Sequence, residues 1–180
     1  MVILIAGSTH SGKTYLARRL VQKYGFFCIS IDHIKMGLIR SGICPLSPES
    51  SDSDLTPYLW NIVKEIVKTA IENKQHIIIE GCYIPFDFAE YFSSDYLPYI
   101  KYICIVLSCE YIANNFNIIK EHANAAEKRL DDSYCTKELL LKENSHNLEM
   151  CRKYSLNHIL ITNNYISDLE KALKNLNITV

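Results

Sequence analysis

Residues 1–20 read MVILIAGSTHSGKTYLARRL. Val2 to Ala6 is an unbroken apolar run, rich in β-branched residues and ended by Gly7. That is the pattern of a short strand buried on both faces. From Lys13 to Tyr24 the period turns helical, with Leu16, Leu20 and Val21 on one side and Arg18, Arg19 and Lys23 on the other. Gly25 stands where helices commonly end. The eight residues between, GSTHSGKT, fit G-x-x-x-x-G-K-[ST] at Gly7, Gly12, Lys13 and Thr14. Glycine permits the dihedrals that turn successive backbone N–H groups inward around a phosphate. The helix N-terminus beneath adds partial positive charge. Lys13 is then placed for the β- and γ-phosphates, and the Thr14 hydroxyl for Mg²⁺. A chance glycine turn has no need of the Lys-Thr pair. A nucleoside triphosphate is therefore expected on Gly7, Ser8, Thr9, His10, Ser11, Gly12, Lys13, Thr14 and Tyr15, with only the backbone of His10 required.

Outward from this turn, strands and helices alternate. FFCISI, residues 26–31, reads as a second strand followed by Asp32, and residues 33–40 as a short helix. SGICPLSPESSDSDLTP, residues 41–57, holds the densest cluster of Pro and Ser and predicts a surface loop. Thr56 before Pro57 predicts a helix start, running to about Asn73. HIIIE (76–80), YICIVLSC (102–109) and HILIT (158–162) complete five strands, with helices from about Glu110, over 136–154 and over ISDLEKALKNL. Ser167 and Glu170 suggest a capping box for the last of these. Such alternation means right-handed crossovers and a parallel sheet with helices on both faces.

The chain has 180 residues, 48% apolar and 22% charged, with a formal net charge of −1. One α/β domain over 1–180 is expected. The charge balance argues against nucleic acid as the main partner, since a broad phosphate-binding face shows as a basic excess. Seven cysteines, an odd number with no C-x-x-C and several inside apolar runs, fit reduced thiols of a cytoplasmic protein better than a disulfide framework or a zinc site. No leader pattern opens the chain, and no apolar run reaches about 18 residues, so no membrane span is expected.

A switch GTPase needs D-x-x-G and N-K-x-D, and neither is present; TNNY after the fifth strand is not N-K-x-D. A motor ATPase carries an aliphatic run ending in paired acids, whereas HIIIEGC ends in one acid and a glycine. With GSTHSGKT near the N-terminus, and more loosely through SIDHIK, IIIEGCYIP and the polar stretch around Arg129, the chain resembles P-loop kinases of the nucleoside-monophosphate-kinase and shikimate-kinase kind. The resemblance implies a three-layer P-loop NTPase fold, its five-stranded parallel sheet in the order 2-3-1-4-5. It also implies ATP and Mg²⁺ as cofactors, an acceptor-binding region at about 33–73 and a lid at about 120–135.

On that likeness Asp32, just past the second strand, orients or deprotonates an acceptor hydroxyl; its bland role would be a helix cap. Lys35 stands where monophosphate kinases keep an arginine, and Arg40 about a turn further. Glu80 ends the third strand at the position of the acid that holds Mg²⁺ through water, so Thr14 and Glu80 form the expected metal pair. Gly81 matches the glycine after that acid. The arginine expected a few residues on is missing, which points away from a monophosphate acceptor and toward a less charged small molecule. Tyr83, with Phe86, Tyr58 and Trp60, flanks the acceptor region. Arg129 is the expected lid arginine, ahead of Lys120 and Lys128, and would stabilise charge on the transferring group. Asn163 and Asn164 follow the fifth strand, where relatives meet adenine. The expected catalytic set is Lys13, Asp32 and Arg129. Rival readings are a zeta-toxin-like kinase for an activated sugar, a polynucleotide-type kinase, and a nucleotide-binding module with slow or no turnover.

Overall fold

The strands are β1 (Val2–Gly7), β2 (Phe27–Ser30), β3 (Ile77–Glu80), β4 (Ile100–Leu107) and β5 (His158–Ile161), in one sheet of order β2-β3-β1-β4-β5. This is the α/β order that the resemblance implies. The helices are α1 (Lys13–Tyr24), α2 (Ile31–Arg40), α3 (Asp52–Glu72), α4 (Cys109–Ala126), α5 (Lys137–Lys153) and α6 (Tyr165–Asn175). This is a computed structural model, and it describes residues 1–126 and 134–175. Among these no helix is long and apolar enough to cross a membrane. The chain divides into two compact units.

The first unit comprises Met1–Ala6 and Ala17–Tyr102. Here β3 pairs in parallel with β1 and with β2, and the register sets Glu80 opposite both Ile5 and Ser30. β1 and β3 are buried along their whole length, as their unbroken apolar runs demand, whereas β2 is an edge strand with Phe27 67% exposed. α3 turns a buried stripe inward through Leu55, Leu59, Trp60, Val63, Val67 and Ala70. This spacing, close to three and four residues, is that of one helical face.

Two expectations are corrected in this unit. α3 starts at Asp52 and not at the Thr56-Pro57 pair, because the Ser51 hydroxyl accepts from the Asp54 amide at 3.2 Å and Asp52 and Asp54 favour the positive end. Pro57 lies inside the helix, where its missing N–H forgoes one bond to the Ser53 carbonyl. α2 likewise starts at Ile31, so Asp32 belongs to its first turn and is not its cap; Ser30 is the cap residue.

The second unit comprises Gly7–Leu16 and Ile103–Val180. β4 and β5 are parallel, from Cys104 opposite His158 to Leu107 opposite Ile161. α5 opens on Thr136, whose hydroxyl accepts from the Leu139 amide at 3.1 Å. α6 opens on Asn164, whose Oδ1 accepts from the Ser167 amide at 2.9 Å, so the suggested Ser167 cap lies inside the helix. α4 is kinked at Asn115, whose φ is −124°. Lys137 donates to the Ala113 carbonyl at 3.1 Å beside the kink.

Asn144 of α5 is 1% exposed and fully engaged: Oδ1 accepts from the Leu107 amide and Nδ2 donates to the Leu140 carbonyl, each at 2.8 Å. It satisfies the amide of Leu107, the last residue of β4. Asn144→Ala leaves that buried amide without an acceptor and should cost about 2–3 kcal/mol. Urea unfolding of the variant measures it; a loss within experimental error of zero would mean that the amide finds another partner.

Candidate active site

The turn from Gly7 to Thr14 belongs to the second unit. Three of its residues have positive φ: Gly7 at 145°, His10 at 59° and Gly12 at 89°. A Cβ on Gly7 would lie 2.6 Å from Ser11 Oγ and 2.7 Å from the Ile105 carbonyl oxygen. One on Gly12 would lie 1.9 Å from the Tyr165 hydroxyl oxygen. The two glycines the motif requires thus stand where no side chain fits.

Lys13 is 8% exposed, and its Nζ donates to the Ser8 carbonyl at 2.8 Å. Its stem therefore curls back over the loop and keeps the charge at the turn. The Ser8 and Ser11 hydroxyls are buried without a hydrogen-bond partner, an arrangement that costs free energy unless a polar ligand or water meets them. The first turn of α1 carries no acidic residue, so its positive end is uncompensated within the helix. Orphaned hydroxyls, a cradle closed to side chains and a retained ammonium fit a triphosphate tail. Thr14, second residue of α1, and the exposed Tyr15 follow directly. Thr9 Oγ1 and His10 Nδ1 lie 2.9 Å apart, which ties the left-handed His10 to its neighbour.

The loop before α6 is in the same unit. Asp168 Oδ2 accepts from the amides of Thr162 at 2.9 Å and Asn163 at 3.1 Å, and these bonds hold its carboxyl below the usual aspartate range. Asn164 is used as the helix cap. Tyr165, which the sequence reading passed over, reaches the phosphate loop itself: its hydroxyl donates to the Ser11 carbonyl at 3.0 Å and lies 3.4 Å from that of Gly12.

The first unit carries the other candidates. Lys35 pairs with Asp32 at 3.0 Å, donates to the Tyr83 hydroxyl at 2.8 Å and lies 5.1 Å from that ring's centroid. The sequence names these three residues separately; the structure joins them. Burial disfavours the Lys35 charge, but the bond to Tyr83 and the Asp32 carboxylate outweigh it and hold its pKa above the ordinary lysine value. Burial also pushes the Tyr83 phenol up to about 12, so it is neutral at physiological pH. Lys35 is the sheltered member, its side chain 13% exposed against 41% for Asp32. Arg40, at the end of α2, is exposed. Trp60 packs edge-on against Tyr91 and Phe92 within the core, and Tyr58 donates to the Ile43 carbonyl.

Glu80 is 2% exposed at the carboxyl end of β3. Its strand neighbour Ser30 has a buried hydroxyl with no partner. Gly81 follows at a point of close packing, since a Cβ there would lie 2.8 Å from that of Ile31. Among the described residues no group of three His, Cys, Asp or Glu could hold a metal alone. A single carboxylate such as Glu80 would fit the habit of Mg²⁺, which takes few protein ligands and shares the rest with phosphate and water. Arg129 and Lys128 lie outside the described residues, as does the middle of the expected lid.

Comparison with known proteins bears on the family and the fold. The sequence model of the family described as Zeta toxin matches residues 1–97, which include the phosphate loop, Asp32, Glu80 and Tyr83. No curated protein matches the sequence significantly. Among solved structures, a sugar kinase from Janibacter sp. HTCC2649 superposes with a TM-score of 0.61 at 17% identity, covering 99% of this chain and 95% of that one. A deoxyadenosine kinase from M. mycoides gives 0.57 at 14% identity, over 99% and 100% of the two chains. A gluconokinase from Sinorhizobium meliloti 1021 gives 0.54 at 14%, over 97% and 90%. The shared feature at these identities is the P-loop kinase fold.

Glu80 also has a reporter. Burial first, and the Glu80 charge second, push the Cys28 thiol up to about 11. Glu80→Gln removes the second cause and eases thiolate formation. Cys28 alkylation at about pH 9, followed by peptide mass spectrometry, should then accelerate, by less than about tenfold because burial remains. An unchanged or slower rate would mean that Glu80 carries no charge beside Cys28.

Proposed function

The chain belongs to the zeta toxin family, and on that premise we propose that it is a kinase that transfers the γ-phosphoryl group of ATP to a hydroxyl of a small-molecule acceptor. The observation that carries this reading is the turn 7–14. Its glycines exclude side chains, its lysine is curled onto the loop, and two of its buried hydroxyls lack partners.

In this reading the amides of the turn and Lys13 hold the β- and γ-phosphates, with Thr14 and Glu80 as ligands of Mg²⁺. The bound ion supplies charge neutralisation on the phosphate oxygens. Asp32 aligns the acceptor hydroxyl and receives its proton as the oxygen attacks phosphorus. Lys35 and Tyr83 keep that carboxylate in one orientation, and Arg40 is the further acceptor-side candidate. Arg129 is the lid arginine of this scheme. Positioning and electrostatics supply most of the catalysis, because phosphoryl transfer asks little covalent chemistry of the protein.

The acceptor side argues for a molecule of low charge. The Lys35 ammonium is matched by Asp32, and no arginine follows Glu80 within the next several residues. The names of the structural neighbours, a sugar kinase, a gluconokinase and a deoxyadenosine kinase, set the first compounds to try: sugars, activated sugars, sugar acids and nucleosides.

ADP release measured across that panel tests the proposal. An acceptor-dependent signal is expected. Release without acceptor would mark an ATPase, and binding without release under any acceptor a regulatory module. With the productive acceptor, Lys13→Ala should lose at least about a hundredfold in turnover through lost γ-phosphate stabilisation. Asp32→Asn should lose about 10²–10⁴ in kcat while nucleotide affinity stays within about twofold. Equal losses in rate and affinity would make Asp32 a structural residue.

A further inference from the structure

The Tyr165 hydroxyl is bonded to the Ser11 carbonyl of the phosphate loop at 3.0 Å across 154 positions of sequence. Its longer approach to the Gly12 carbonyl, 3.4 Å, is the weaker one, and that carbonyl already accepts from the Leu16 amide at 3.0 Å. The ring is half-buried and meets Tyr15 edge to face at 6.0 Å. Its base is held as well: the Asn164 cap and the Asp168 carboxylate bind the amides around the start of α6. The phenol therefore projects from a braced turn, and not from a free loop.

A trans peptide is planar, and its C=O and N–H point in opposite directions. Fixing the Ser11 carbonyl outward therefore aims the Gly12 N–H to the opposite side. Gly12, at φ 89° and without a Cβ, has little intrinsic resistance to rotation of this peptide plane. Restraint has to come from outside, and the Tyr165 hydroxyl supplies it at the Ser11–Gly12 peptide.

We propose that Tyr165 is a positioning residue for the triphosphate. By gripping the outer carbonyl of the Ser11–Gly12 peptide, its hydroxyl holds the Gly12 amide in the orientation that receives phosphate. The inference rests on the reading of this turn as a triphosphate site. Burial first, with Tyr111 and Tyr15 adding to it, raises the Tyr165 pKa above the usual phenol value. The hydroxyl thus remains a donor throughout the physiological range. Packing alone would be served by phenylalanine; the oxygen is what touches the loop.

Tyr165→Phe in the full chain isolates that oxygen. In nucleotide-free protein, the NMR order parameter of the Gly12 amide should fall, because its peptide plane has lost its restraint. The Kd for MgATP, from calorimetry, should weaken by about three- to tenfold, the worth of one neutral hydrogen bond, with the melting temperature within about 3 °C of the parent. An unchanged order parameter together with unchanged affinity would overturn the inference while leaving the triphosphate reading intact. An affinity loss accompanied by a fall of more than about 10 °C in melting temperature would make the hydroxyl a fold element and overturn it too. If the unaltered chain binds no purine triphosphate, the triphosphate reading fails and takes this one with it.

Discussion

Much of this structure follows from the way the peptide planes of residues 7–14 are forced to lie. A loop that converges its amides must send its carbonyls outward, and outward there is protein. Gly7 abuts the Ile105 carbonyl, and Gly12 abuts the Tyr165 hydroxyl, at separations that no Cβ survives. His10 takes the left-handed conformation without the licence of glycine. That costs about 1–2 kcal/mol for an L-residue. Such strain persists where the surrounding structure over-determines it, and here the loop is held from β4, from α1 and from the start of α6.

Two lysines, Lys13 buried and Lys35 half-buried, make a useful contrast. Lys13 donates to a neutral carbonyl in a turn with positive helix-end character. Lys35 lies against a carboxylate and a phenol, where its charge is matched. The sequence presents both as basic residues beside a predicted strand-to-helix junction, and their partners tell them apart.

What could be read in advance was what depends on local pattern. The apolar run ending at Gly7 and the helical period from Lys13 to Tyr24 are near-neighbour signals, and both elements lie where the pattern places them. Strand order followed from a family likeness carried by those same residues. The misses come where two local signals compete and distant packing decides. The Thr56-Pro57 pair marks a plausible helix start, but Leu55 is buried on the helix, and the Ser51 cap begins it a turn earlier. Ser167 and Asn164 are both plausible caps, and the Asp168 carboxylate, by binding the amides of Thr162 and Asn163, tightens the chain so that Asn164 serves. The Asp32–Lys35 pair is a three-residue helical spacing and could be foreseen; Tyr83, 48 residues on, could not be assigned to it. Tyr165 is farther still, and no periodicity marks a residue whose only peculiarity is what it touches.

The candidate carboxylates, finally, are placed by one contact that involves neither of them. Ile31 is wholly buried as the first residue of α2, and its side chain fills the space that a Cβ at Gly81 would need. Glu80 is the residue before that glycine, and Asp32 the residue after that isoleucine. β2 and β3 run side by side with Ser30 opposite Glu80, so both strands end at the same level, and the residues that follow them, Ile31 and Gly81, pack closely there. Close backbone approach at 81 therefore sets where Asp32 begins its helix relative to the end of β3. A larger residue at that position has to displace α2 or the chain after Glu80, and either movement changes the spacing between the two acids. The glycine after the strand acid is in this sense a spacer between its two acidic neighbours in space, set by its absent side chain as the first turn is set by those of Gly7 and Gly12.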